Sequence, residues 1–142
     1  MARKNAKRDE VAAQLADVAF FKGFAPDQLR RVAELADECE AEVGGELIGQ
    51  GRPGQEAFVI LEGSAAVLIG GERRNEVGPG DIVGEMSLID HNPRTADVKA
   101  LTAMKLLAFD SRAFRRLLDE MPEALIRVTE RIIERRKALG IK

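Results

Sequence analysis

Apolar positions change their spacing twice along this chain, and the changes divide it into three stretches. Between Glu10 and Val43 the chain reads as helix. Leu29, Val32, Ala33, Leu35 and Ala36 recur there at helical spacing with charges between them, the mark of helix with one buried face. Pro26 suits a first helical position, and Asp27 beside it complements the helix dipole. Phe20, Phe21 and Phe24 stand just before this start and are expected to dock the helical segment onto the rest of the protein.

From Val43 to Phe109 the apolar runs shorten: Leu47-Ile48, Ala57 to Leu61, Ala65 to Ile69, Asp81 to Val83, Ala96 to Ala100 and Lys105 to Phe109. Glycines fall between them, as at Gly44-Gly45, Gly49, Gly51, Gly54, Gly70-Gly71 and Gly78-Pro79-Gly80. Short strands separated by Gly/Pro turns predict a small all-β roll or barrel. After Phe109 the helical period returns. Asp110 and Ser111 are candidate caps for a helix through Phe114, Leu117 and Leu118. Pro122 opens a last helix reaching Leu139, with Leu125, Val128, Ile132 and Ile133 as its apolar stripe and Gly140 as its stop. The pattern thus predicts one domain over 1–142, mainly β with flanking helices: helical over 10–43, a β-roll over 44–109, and C-terminal helices over 111–139.

Composition narrows the chemistry. A net charge of −2 and a count of six Phe with no Trp or Tyr disfavour a nucleic-acid surface, which wants basic stripes and stacking platforms. The one basic cluster, Arg3, Lys4, Lys7 and Arg8, is expected to be a solvated arm. No apolar run approaches a membrane span and no signal-peptide core is visible, so a cytoplasmic location is expected. The single cysteine, Cys39, excludes an intramolecular disulfide and reads as a small hydrophobe in the helical stretch. The single histidine, His91, argues against a metal site and against a Ser-His-acid triad, and none of Ser64, Ser87 and Ser111 sits in a nucleophile-elbow context. No metal and no turnover are expected. Gly49-Gln-Gly51-Arg-Pro-Gly54 has dinucleotide-motif spacing but runs on into strand residues rather than helix, so it is expected to be a turn of the roll.

The segment richest in chemistry runs from Gly84 to Ala96. Gly84 permits close approach of backbone to a ligand. Glu85 to Asp90 can form a short helix with its first amides facing an anion. Arg94 adds a planar cation suited to two phosphate oxygens, and Glu85 an acceptor for a sugar hydroxyl. An acid beside a phosphate site repels the anion unless it serves another part of the ligand, and nucleotides offer both groups. The competing reading is a surface loop in which Arg94 pairs with Glu85 or Asp97.

Here the chain resembles the cyclic-nucleotide-binding domain family. That family's phosphate-binding cassette runs approximately Phe-Gly-Glu-x-Ala-Leu, a variable stretch, then Pro-Arg-Ala/Ser/Thr-Ala-x-Val. In this sequence it stands as Val83-Gly84-Glu85-Met86-Ser87-Leu88, Ile89 to Asn92, and Pro93-Arg94-Thr95-Ala96-Asp97-Val98. Gly45-Glu46, Ile48, Gly51, Gly54, Phe58, Ile60, Gly63 and the Gly78-Pro79-Gly80-Asp81 turn also match, so the resemblance spans Phe20 to Leu139. It departs at Val83, where Phe is usual, and at Ser87, where Ala is commoner.

The resemblance implies an eight-stranded, jelly-roll-like β-roll with N-terminal helices and a C-terminal lid helix. It implies a non-catalytic sensor of cAMP, with cGMP as the alternative ligand. The implied ligand contacts are Val83, Gly84, Glu85, Met86, Ser87, Leu88, Arg94, Thr95 and Ala96. Arg94 would take the cyclic phosphate and Glu85 the ribose 2′-hydroxyl. Amides of Gly84, Ser87 and Thr95 would complete the cradle, and Val83 and Leu88 would line an apolar wall. The last helix would pass the signal to a downstream protein that the sequence does not name. With no helix-turn-helix after it, the chain is expected to be a free-standing sensor, a nucleotide buffer or a piece of something longer. A degenerate domain of the same fold that binds no nucleotide is the further alternative, disfavoured by the intact Glu85 and Arg94.

Overall fold

Residues 8–51, 55–85, 88 and 93–138 are described by the computed structural model. Helix α1 (Arg8–Ala16) leads through a 3-10 turn at Ala19–Phe21 to α2 (Pro26–Leu35). Pro26 does open α2, and the Gln28 side chain accepts from the Ala25 amide at 2.8 Å, satisfying a donor the helix itself cannot. Eight strands follow: β1 (Asp37–Ala41), β2 (Glu46–Ile48), β3 (Glu56–Glu62), β4 (Ala65–Ile69), β5 (Glu72–Val77), β6 (Ile82–Val83), β7 (Asp97–Ala100) and β8 (Met104–Asp110). Helices α3 (Ser111–Glu120) and α4 (Pro122–Ala138) end the described chain. Asp110 caps α3, its Oδ1 accepting from the Ala113 amide at 2.7 Å. The basic cluster at residues 3–7 lies outside the described residues, as does the loop histidine His91.

The strands form two four-stranded antiparallel sheets, ordered β1-β8-β3-β6 and β2-β7-β4-β5. The architecture is the expected β-roll with flanking helices. Its first sheet is covered on both faces. Along β3, Ala57 and Val59 turn to the helices while Phe58 and Ile60 turn to the second sheet. Along β8, Leu107 and Phe109 face the helices while Met104, Leu106 and Ala108 face the second sheet. A strand buried on both sides has no polar face, which is why these stretches read as unbroken apolar runs rather than alternation. The helix-side core gathers Leu15, Phe21, Val32, Phe109, Phe114 and Leu117, all fully or almost fully buried. Truncating Phe109 to Ala would cost about 3–5 kcal/mol.

Two expectations fail here. Helix does not run to Val43: it stops at Leu35, and Asp37–Ala41 is strand β1, registered with Met104–Ala108 of β8. Glu38, Glu40 and Ala41 favour helix locally, and pairing with β8 overrides that preference. The apolar stripe of the last helix is also split. Val128 is fully buried and Ile132 half-buried, but Leu125 and Ile133 are exposed. Ala124 takes the inner position beside Val128, since residues four apart share a helix face.

Two arginines hold α4 down. The Arg127 guanidinium donates through Nη1 to the Phe20 carbonyl and through Nη2 to the Lys22 carbonyl at 2.5 Å, and lies 5.0 Å from the Phe24 ring centre. Arg131 pairs with Asp81 at 3.5 Å, and Asp81 accepts from the Gly78 amide at 2.8 Å. The last helix is thereby fixed to the 3-10 turn and to the Gly78–Asp81 turn.

Candidate functional site

Strand β6 is only two residues long and pairs with β3 through Val83 opposite Phe58 and Ile82 opposite Val59. Gly84 then turns the chain at φ +85, and Glu85 begins a helical turn. Only glycine fits at 84. A Cβ there would stand 2.6 Å from Nη1 of Arg94, 2.8 Å from the Glu56 carbonyl oxygen and 3.1 Å from Cδ1 of Ile48.

The close neighbours at Gly84 form the candidate site. Arg94 is 8% exposed and Glu85 is fully buried, and these are the buried charged residues of the described chain. Nη1 of Arg94 donates to the Gly84 carbonyl at 2.7 Å and Nη2 to the Glu56 carbonyl at 2.5 Å. Burial pushes the Arg94 guanidinium below its ordinary pKa, while the carboxylates of Glu85 and Glu56 push it back up. It remains a cation at any physiological pH. A guanidinium carries more N–H donors than two carbonyls take, so an oxyanion can share it without displacing them.

The backbone of Arg94 is also tethered. Its carbonyl accepts from the Gly51 amide at 2.8 Å, and Asp97 Oδ1 accepts from the Gln50 amide at 2.7 Å. Gln50 Oε1 in turn accepts from Gly70 at 2.9 Å. Asp97 therefore serves the turn after β2, and the alternative of an Arg94–Asp97 salt bridge is replaced by this backbone contact. A cleft of about 280 Å³ opens beside Arg94, walled by Glu46, Leu47, Ile48, Gln55 and Glu56.

Gly84, Glu85 and Arg94 are brought together as the sequence suggested. Ala96 is buried and Thr95 exposed. Met86 and Ser87 lie outside the described residues. Val83 and Leu88 do not share a wall. Val83 packs between the sheets with Ile48 and Phe58, whereas Leu88 joins the helix-side core with Ile82 and Phe109. Alternation along β6 puts residues 82 and 83 on opposite faces, and Leu88 packs on the face that Ile82 takes. Sequence reasoning missed the Glu56 carbonyl, the Gln50–Asp97 contact and the cleft wall on β2. The glycine-rich turn at Gly49 and Gly51 was the available signal, since its Gly51 amide ties down the Arg94 carbonyl.

The chain matches the family model described as the cyclic nucleotide-binding domain over residues 39–121. It belongs to that family. The domain is 32% identical over 124 residues to the cyclic nucleotide-gated potassium channel mll3241 of Mesorhizobium japonicum, an alignment covering 87% of this chain and 34% of the channel. The chain thus spans about a third of that curated relative. Among solved structures it is similar to cAMP-bound PfPKA-R, at TM-score 0.82 and 26% identity over 96% of this chain and 49% of that one. It is also similar to the regulatory subunit of a cAMP-independent protein kinase A from Trypanosoma brucei, at TM-score 0.79 and 28% identity over 92% of this chain and 47% of that one.

Elsewhere in this cyclic nucleotide-binding domain, no described helix is long and apolar enough to cross a membrane. Among the described residues no group of three or more His, Cys, Asp or Glu is placed to hold a metal ion. Cys39 is half-buried on β1, where burial first and Glu56 second raise its thiol pKa.

Proposed function

We propose that the domain is a sensor that binds cAMP in preference to cGMP, performs no chemistry on it, and reports occupancy through α4, with residues 1–142 working as one domain. The observation that carries the reading is the buried Arg94 guanidinium beside the buried Glu85, both against the backbone of Gly84. An isolated buried charge is costly, and a cation and an acid kept together at a glycine turn suit a ligand with one anionic and one hydroxyl group. A cyclic nucleotide has both on one ring system. Arg94 takes the phosphate and Glu85 the ribose 2′-hydroxyl. Gly84, Ser87 and Thr95 supply amides, and Met86, Leu88, Val83 and Ala96 shape the surroundings.

Selectivity rests on Thr95, whose side chain is exposed. Its hydroxyl serves the phosphate, or the 2-amino side of a syn guanine. One such bond is worth about 0.5–1.5 kcal/mol, so discrimination between the two ligands is modest. The route to α4 runs through β3: Gly80 donates to the Ile60 carbonyl, Ile60 donates to the Asp81 carbonyl, and Asp81 pairs with Arg131 of α4. The relative described as cAMP-independent keeps a second reading in play, a domain of this fold that binds no cyclic nucleotide.

Calorimetric titration with cAMP, cGMP and AMP tests both. The reading requires saturable cAMP binding, weaker cGMP, and much weaker AMP, whose additional charge and open phosphate do not suit the cradle. Arg94→Ala should lose about ten- to hundredfold in cAMP affinity. No heat with either cyclic nucleotide establishes the non-binding reading, and AMP formed from cAMP overturns the non-catalytic one.

A further inference from the structure

Helix α4 turns an apolar stripe away from its own protein. Leu125, Ile126 and Ile133 are 46%, 58% and 51% exposed, while Ala124 and Val128 on the opposite side are fully buried. Ile126 and Ile133 are seven residues apart and therefore lie on one line along the helix. Thr129 stands between them, and its hydroxyl already donates to the Leu125 carbonyl at 2.8 Å, so covering it strands no donor. The arginine contacts at Phe20, Lys22 and Asp81 fix the inner face and present this outer one to solvent.

The charges along the stripe run in one order. Glu123 flanks its first turn, and Arg136 and Lys137 its last. We infer that the stripe docks against a second copy of itself, antiparallel, about a two-fold axis between Thr129 and Glu130. That register sets Ile126 against the partner's Ile133, and Glu123 alongside the last turn of the partner that carries Lys137. Opposed helix dipoles favour the same direction. Parallel pairing at equal register would set Glu123 level with Glu123 and Lys137 level with Lys137. The association is weak, because one helix seam covers less area than the about 800 Å² per partner of a standard interface. Glu130 also meets its own copy at the wet rim near the axis. The inference stands apart from the nucleotide reading, since none of these residues lines the cleft beside Arg94.

Sedimentation equilibrium of the full chain from ~10 μM to ~1 mM tests it, at concentrations where interfaces below standard size begin to pair. A monomer–dimer equilibrium is expected, weakened about tenfold or more by Ile133→Glu, which places a charge in the seam. Thermal melting of that exposed-site variant should match the parent. Glu123→Lys should weaken the dimer, and adding Lys137→Glu should restore it. In a Cys39→Ser background, Thr129→Cys near the axis should form a disulfide with its copy under mild oxidation, and Ile126→Cys should not. A monomer at every concentration overturns the inference, and the stripe then stays exposed or covers the domain's own cleft. A dimer untouched by Ile133→Glu places the interface elsewhere and overturns it too. Equal crosslinking at 126 and 129 means parallel pairing and overturns the register.

Discussion

The carbonyl of Gly84 receives the Arg94 guanidinium at 2.7 Å, and the same glycine has no space for a side chain, since its Cβ would stand 2.6 Å from that guanidinium. One residue thus turns the chain out of β6 and anchors the buried cation. Gly84→Ala sets a side chain against the Glu56 carbonyl at 2.8 Å, at φ +85, where L residues are strained. The expected cost is about 1–3 kcal/mol of stability, with cyclic-nucleotide affinity falling as Arg94 is displaced. Urea unfolding and ligand titration of this variant check both. Parent values in the two would mean that the turn adapts and the anchor is not needed.

Arg94→Lys keeps the charge and removes the fork. Two carbonyls, on Gly84 and Glu56, are held by two different nitrogens of Arg94, and a single ammonium cannot reproduce that span together with a phosphate contact. We expect affinity to fall about ten- to hundredfold while the fold survives. Calorimetry beside circular dichroism reads the two effects separately. A lysine variant binding as tightly as the parent would reduce the requirement to charge alone.

How far the sequence could be read depends on which face each residue serves. Strands β3 and β8 were visible because both of their faces are buried and their apolar runs are continuous. Strand β5 was not: Glu72 to Glu76 is exposed throughout at the edge of its sheet, so hydrophobicity leaves no trace of it. Strand β1 was mistaken for helix because Asp37 to Ala41 is short and mostly polar, and its conformation comes from β8, more than sixty positions away. Within the candidate site, the grouping of Gly84, Glu85 and Arg94 was legible because their chemistry lies in their side chains or in glycine's lack of one. The Glu56 carbonyl was not, because every residue has a carbonyl and only the fold decides which one meets Arg94.

A bidentate contact joins the helical layer at its rim. Nε and Nη2 of Arg31 on α2 donate to the two carboxylate oxygens of Glu120 on α3, at 2.8 and 2.9 Å. The hydrogen bonds from Arg31 foremost, then its charge, hold the Glu120 carboxyl below its ordinary pKa. The folded state therefore binds this proton less readily than the unfolded chain. The stabilisation is fully present above the ordinary glutamate range, about pH 4.3, and is lost as pH falls through the lowered folded value. Glu120→Gln should be less stable than the parent at neutral pH, by a small margin that salt reduces because the pair is exposed. The margin should vanish in acid. An undiminished difference at pH 3 would assign the effect to packing rather than charge.

The last helix offers the sharpest test of the proposed signalling. Its inner face is anchored by Ala124 and Val128, but its strongest polar ties are Arg127 to the Phe20 and Lys22 carbonyls and Arg131 to Asp81. Hydrogen bonds from a charged donor contribute about 1.5–3 kcal/mol each when shielded, and less here because Arg127 is partly exposed. If α4 has a second arrangement, a ligand shifts the balance between the two only by its differential affinity. If α4 reports occupancy, cAMP should change hydrogen exchange in residues 122–138 as well as at the cassette. Arg127→Ala should raise exchange in α4 without ligand, because it frees the helix from the 3-10 turn, and should shrink the further change that cAMP produces. A helix that serves only as a strut would behave differently: protection on binding would stop at the cassette, and Arg127→Ala would loosen α4 equally with and without cAMP. That outcome would remove α4 as the output surface.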